Sequence, residues 1–228
     1  LWSSKTVYDL SELSANFRPD IIHVHNTTPL ISPAVFWGAR QVGVPVVQTL
    51  HNFRLMWPQA MCVRQGRICE DCLGQVPWRG VVRACYRSSV AQTAVLAAST
   101  VLHRAIGTFR NKVDRYIALN EFCRAKFIEG GLPAARVVVK PNFVDVTDKP
   151  PSLPRSGGLY LGRLTEEKGV PLLMQALSAT GLQSGFTVVG GGPLDVEVSS
   201  SIGVRYVGFQ PPETVADFLG RAAYLVVP

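Results

Sequence analysis

Short apolar runs that alternate with helical patterns constrain this chain most. IIHVH from Ile21, VPVVQTL from Val44, RYIALN from Arg115 and RVVVK from Arg136 read as strands. Helical patterns lie between them, from Thr6 to Ala15, Pro33 to Gln41, about Ser88 to Ile106, and Glu121 to Glu129. A repeated strand-then-helix order of this kind builds a parallel α/β fold. The long third helix carries Val90, Ala94, Ala97 and Val101 on one stripe, which is expected to be its core face.

The segment DVTDKPPSLPRSGG, from Asp145 to Gly158, concentrates Pro, Gly and Ser without apolar periodicity and reads as a domain boundary. The expected organisation is a first domain over 1–147, a linker over 148–157 and a partial second domain over 158–228. The alternation restarts in that second domain. GLYLG is followed by a helix from Gly169 that buries Val170, Leu173, Met174 and Leu177. GFTVVG, an unpatterned GGPLDVEVSSS, GVRYVG, a helix bearing Val215, Phe218, Leu219 and Ala222, and a last buried strand, Tyr224 to Val227, complete it. With no initiator methionine and an end on an apparent strand, the chain reads as a fragment of a longer protein. Hydrophobic content of 47% with 17% charged residues excludes disorder as the default, and no uninterrupted apolar run is long enough to span a membrane.

Chemistry concentrates in three places. GRLTEEKG joins a strand to a helix and presents Arg163 and Lys168 where loop N–H groups and a helix dipole favour phosphates, although an ordinary turn with solvated charges has the same sequence. Gly190, Gly191, Gly192 and Pro193 form a turn signal without the spacing of a dinucleotide fingerprint. His51 follows the strand VPVVQTL, at the carboxyl end where open α/β sheets bind ligands; a structural histidine bonded to backbone is the plainer alternative. His23 and His25 share a strand face and, with no third ligand in view, read as packing and strand-end hydrogen bonding rather than a metal site.

Four cysteines, Cys62, Cys69, Cys72 and Cys85, are spaced C-x6-C-x2-C-x12-C within an insertion over about 52–87. A four-thiolate structural zinc, free thiols and disulfides all fit that spacing. Charge is uneven: the net charge is +7, and 12 basic against 4 acidic residues lie between Arg54 and Lys126. Such a surface suits anionic headgroups, a phosphorylated acceptor or nucleic acid, or is simply solvated.

Taken in order, HVHN, QTLHN, KPNFVD, GRLTEEKG and VVGGGP resemble the family-4 retaining glycosyltransferases of the GT-B class. GRLTEEKG is similar to that family's G-R-L-x-x-E-K-G element, and PNFVD to the P-N-G-V-D segment that closes its first domain. The resemblance implies two Rossmann-like domains with parallel sheets facing a cleft, the second incomplete here. It implies a nucleotide-sugar donor held mainly by the second domain through Arg163, Lys168 and Gly190 to Gly192, and an acceptor held mainly by the first. It implies that His51 reaches the transferred sugar, while Asn52 stands where an aspartate is common. No metal is expected for transfer. The family's glycine-rich loop and its E-x7-E pair would lie outside this chain, so the fragment alone is expected to be inactive; Glu121 and Glu129 have the spacing but sit on a first-domain helix.

The expected activity is therefore hexosyl transfer with retention to a saccharide or lipid-linked acceptor in cell-envelope polysaccharide or glycolipid assembly, in the cytoplasm or peripheral to the inner membrane face. A zinc-knuckle nucleic-acid module leaves GRLTEEKG unexplained and lacks aromatics interleaved with its basic residues, so nucleic acid is not the expected partner. A nucleotide-sugar epimerase on the same scaffold is a further alternative.

Overall fold

The structure is a computed structural model that describes residues 1–27, 31–143 and 154–228. It divides into two compact units, Leu1–Val144 and Asp145–Pro228. Most of the expected linker, along with Val144 and Asp145 of the PNFVD segment, lies outside the described residues.

The first unit runs α1 (Ser4–Phe17), β1 (Ile22–Val24), α2 (Ala34–Gln41), β2 (Val46–Leu50), β3 (Val63–Arg64), β4 (Arg67–Ile68), α3 (Trp78–Val82), α4 (Val90–Ala105), α5 (Thr108–Asn111), β5 (Arg115–Ala118), α6 (Glu121–Glu129) and β6 (Val137–Val139). Strands β1, β2, β5 and β6 pair in that order, all parallel. Every loop at their carboxyl ends therefore emerges on one side. Val46, Leu50, Tyr116 and Val137 from the sheet meet Phe36, Phe109 and Phe127 from the helices in one apolar core. Asp114 ties the sheet's start together by accepting the Val46 N–H at 2.8 Å and pairing with Arg40 at 2.7 Å.

Local chemistry sets the helix boundaries. Ser3, Ser89 and Asn120 cap α1, α4 and α6 by accepting from the N–H of Thr6, Gln92 and Cys123. Helices α1 and α2 approach closely at Gly38, where a Cβ would stand 3.2 Å from Leu10 and 3.4 Å from the Val7 backbone. The buried face of α4 differs from the expected stripe. It consists of Thr93, Ala97, Thr100 and His103, whereas Val90 is 55% exposed. Internal hydrogen bonds make this polar face acceptable in the interior: Thr93 donates to Ser89 O, and His103 Nδ1 lies 3.0 Å from Thr108 Oγ1, which also accepts from Trp37 Nε1.

The second unit runs β7 (Gly158–Leu161), α7 (Val170–Thr180), β8 (Phe186–Val189), α8 (Asp195–Ser199), β9 (Val204–Tyr206), α9 (Pro212–Arg221) and β10 (Tyr224–Leu225). Its parallel sheet has the order β10-β7-β8-β9. Val170, Leu173 and Leu177 of α7 pack on Tyr160, Phe186 and Val188, and Met174 flanks them, as the periodicity predicts. Two expectations need correcting. The unpatterned stretch contains the short helix α8, held by the single buried Val198. The last strand is not buried: it is the sheet's edge, with Tyr224 45% and Leu225 49% exposed.

Candidate functional site

At the carboxyl edge of the first sheet, β1 and β2 are neighbours in register, with Val24 opposite Gln48. The residues just beyond them, His25 and His51, are consequently brought together. His25 Nδ1 lies 2.7 Å from His51 Nε2, and the rings stack with centroids 5.0 Å apart. His23, two residues back on the same face, packs its ring 4.3 Å from that of His25 and bonds through Nε2 to Thr49 Oγ1 at 2.8 Å. Partial desolvation, then the neighbouring His25, Lys140 and His51, hold the His23 imidazole below its ordinary value. Among the described residues, no three His, Cys, Asp or Glu side chains are gathered at metal-binding distance.

Two hollows flank the histidine pair. One, of about 200 Å³, is lined by His25, Thr27, Gln48, His51, Asn52 and Arg54 together with Ser99 and Thr100 of α4. The other, of about 280 Å³, is bounded by His23, His51, Ile117, Lys140 and Asn142. In the first, Gln48 is 3% exposed and its Oε1 is buried without a hydrogen-bond partner among the described residues. A buried amide oxygen left unmatched is costly, and a ligand donor removes that cost. Asn52 holds the loop: its Oδ1 accepts the Arg54 N–H at 3.1 Å. Its neutral side chain thus makes an Asx-type turn.

In the second unit, the GRLTEEKG loop and the GGGP turn are laced together. Gly162 N–H donates to Val189 O, Leu164 N–H to Gly191 O, and Leu194 N–H to Leu164 O. The approach is so close that a Cβ on Gly190 would strike the Gly162 carbonyl, and one on Gly192 the Leu164 carbonyl. Gly191 is different, because a Cβ there meets only ordinary contacts with Phe209 and Asp195. Two of the three glycines therefore serve loop-to-loop approach. Beyond the loop, residues 166–168 form one 3-10 turn and Gly169 adopts φ 69° before α7 begins. Arg163 is 69% exposed and pairs with Glu167 at 2.7 Å. No carboxylate among the described residues pairs with Lys168.

The four cysteines converge on one small cavity of the first unit, away from the histidines. All are free thiols. Burial pushes the Cys62 thiol up to about 12 and raises those of Cys72 and Cys85 as well. Part of the basic excess around them is paired: Arg79 and Arg83 with Asp71, and Lys126 with Glu70 and Glu129. Glu121 and Glu129 lie at opposite ends of α6, the latter held by Lys126.

The sequence profile described as Glycosyltransferase Family 4 matches residues 1–148, which include the whole parallel sheet of the first unit and both histidines of the pair. The chain belongs to this family. No curated protein sequence matches it. Among solved structures, HepE of Anabaena in complex with UDP is similar at 14% identity with a TM-score of 0.62, covering 97% of this chain and 56% of that one. A glycosyltransferase of Rickettsia africae is similar at 12% identity and a TM-score of 0.55, covering 98% and 55%. The catalytic domain of starch synthase IV from Arabidopsis thaliana, bound to ADP and acarbose, is similar at 14% and 0.52, covering 100% and 57%. The shared fold is GT-B, and the chain spans little more than half the length of these structures. This family-4 chain has no helix, among its described residues, long and apolar enough to cross a membrane.

Three residues not expected as site residues from sequence belong to these surroundings, His25 being read there as packing and strand-end hydrogen bonding. His25 bonds to His51, Gln48 lines the polar hollow, and Glu167 neutralises Arg163. The spacing of His23 and His25 on one strand face signalled the first; nothing in the sequence distinguished Gln48.

Proposed function

We propose that the chain is the larger part of a retaining glycosyltransferase that moves a sugar from a nucleoside-diphosphate donor to an acceptor hydroxyl. The observation that carries this reading is the position of His51, at a parallel strand's carboxyl end in a family-4 first unit, bonded to His25 and bordering a polar hollow. The hollow takes the acceptor: its Gln48, Asn52, Ser99 and Thr100 suit a ligand rich in hydroxyls. His51 contacts the transferred sugar, with His25 orienting its ring.

The second unit holds the donor. As the glycosidic bond breaks, negative charge grows on the diphosphate, and Arg163 and Lys168 neutralise it. The Arg163 pair with Glu167 is exposed, so exchanging it for a diphosphate costs little. UDP and ADP in the similar structures support a nucleoside diphosphate here. The basic first unit favours an anionic or lipid-linked saccharide acceptor, as in envelope polysaccharide or glycolipid assembly, reached from the cytoplasmic membrane face.

Thermal unfolding of the complete protein to which this chain belongs, with UDP, GDP, ADP or CMP and beside Arg163→Ala, tests the reading. A nucleotide at about 100 times its dissociation constant adds about 2.7 kcal/mol, and the substitution removes that shift. A folded protein stabilised by none of the four overturns the proposal.

A further inference from the structure

The Cys-rich insertion lacks what ordinarily holds thirty residues in place. Among the described residues between Met61 and Val90, only Cys72, Pro77 and Gly80 are buried. Ile68 is 82% and Val82 71% exposed, so neither the β3–β4 hairpin nor α3 encloses an apolar core. A segment this poor in core needs a cross-link of another kind.

The backbone nevertheless brings four thiols to one place. Strands β3 and β4 pair Val63 with Ile68 and Arg64 with Arg67, and the turn between them, Gln65 at φ 50° and Gly66 at φ 72°, has the left-handed geometry of a tight hairpin. Cys62 and Cys69 flank this hairpin, joined by a Cys69 N–H to Cys62 O bond of 2.9 Å. A turn after Cys69 returns Cys72 beneath α3, where a Cβ on Gly80 would stand 3.5 Å from its Sγ. Left-handed Ala84 and the Cys85 N–H bond to Gly80 O then fold Cys85 back from the other end of α3. All four line one cavity of about 20 Å³, room for an ion or one water.

We propose that Cys62, Cys69, Cys72 and Cys85 bind one zinc ion as a structural four-thiolate site that cross-links the insertion onto itself, joining the β3–β4 hairpin to both ends of α3. The four cysteines line one cavity without standing at metal-binding distance of a common point, so binding requires the thiols to move inward. An ion with bonds of about 2.3 Å would draw the four thiolates together and give the insertion the cross-link its small core does not supply. Four thiolates around a divalent ion leave two negative charges, and cations stand ready for them. Arg64 lines the same cavity, and Arg83, which is also paired with Asp71, has its Nη1 3.9 Å from Cys69 Sγ. Two disulfides would need paired thiols; here four share one cavity.

The site is independent of the sugar-transfer reading, since it shares no residue with the histidine pair or the donor loops. Its test is metal analysis of the protein purified under reducing conditions without added metal. One zinc per chain is expected, falling below a tenth in Cys69→Ser and unchanged in Cys123→Ser. Because a cysteine variant can misfold, the unmodified protein supplies the second measurement. Stripped with a chelator and reloaded with Co²⁺, it should develop tetrahedral d–d bands and sulfur-to-cobalt charge transfer, and regain resistance to proteolysis within the insertion. Absence of both zinc and a tetrahedral cobalt spectrum in folded, reduced protein overturns the proposal, as does disulfide pairing of these cysteines under the same conditions.

Discussion

His25 Nδ1 and His51 Nε2 share one hydrogen at 2.7 Å, across two parallel strands whose register places both residues at the sheet's carboxyl edge. One ring must donate and the other accept, so the bond couples the tautomers of the two rings and sets the plane of His51. His25→Phe keeps a planar ring and deletes the partner. In the complete protein the transfer rate is expected to fall about 10- to 100-fold with little change in stability, because His25 is exposed. His25→Asn, which retains a hydrogen-bonding side chain, should recover part of the loss. Equal rates in the wild type and His25→Phe would remove His25 from the site.

Glu167 competes with the proposed donor for Arg163. Glu167→Gln removes an exposed pair that contributes about 0–1 kcal/mol, so folding should hardly change. Nucleoside-diphosphate binding should tighten about two- to fivefold, most visibly at low salt. Titration calorimetry at two ionic strengths measures it, and weaker binding would mean that Glu167 positions Arg163 rather than competing for it.

Gly190 and Gly191 are neighbours with opposite tolerance. At Gly190, φ is 144° and a Cβ would meet the Gly162 carbonyl, so Gly190→Ala should destabilise the second unit by about 2–4 kcal/mol. Gly191→Ala should stay within about 0.5 kcal/mol. Urea unfolding separates the two. Nucleotide binding by Gly191→Ala then reads the turn's proximity to ligand directly, since folding no longer confounds it.

Much of this architecture is legible in the sequence because parallel strands buried on both faces are continuous apolar runs. VPVVQTL, RYIALN and GFTVVG each contain a strand, and the α7 stripe of Val170, Leu173 and Leu177 lies on the core as its period requires. Helix α4 failed the same test. Its interior face is Thr93, Thr100 and His103, and a polarity scale cannot know that each finds a bond or lines a hollow. The hairpin β3–β4 is not legible in the sequence because its strands are two residues long and exposed, with no buried face to set a pattern. At the site, spacing along the chain shows His23 beside His25, but only strand register brings His51 to them.

Gln48 exposes a trade between stability and recognition. Its Oε1 is buried in the hollow beside His51 with no partner among the described residues. Gln48→Leu, similar in volume, removes that unmatched acceptor and should stabilise the first unit by about 0–1 kcal/mol. In the complete protein it should also weaken acceptor use about 10-fold, seen in KM for the acceptor with donor binding unchanged. Loss of stability without any effect on KM would make Gln48 part of the core alone.

His103 is expected to make the first unit sensitive to acid. The ring is fully buried, stacked on Trp2, bonded to Thr108, and within 3.1 Å of Leu1 O. Burial holds its imidazole below the ordinary value, and that of His23 is lowered as well. Both groups take up protons more readily unfolded than folded. Their contribution is therefore complete above about pH 6.5, the unfolded value, and declines as pH falls from there toward the folded values. Asp114 adds a second window: desolvation raises its carboxyl, but the Val46 N–H and Arg40 outweigh that and lower it, so its contribution disappears only below about pH 4. Denaturant midpoints measured from pH 8 to 3 should fall in two steps. His103→Gln should flatten the upper step while lowering stability at pH 8, since the replacement cannot keep the stacking with Trp2. An unchanged upper step in that variant would transfer the acid sensitivity to His23.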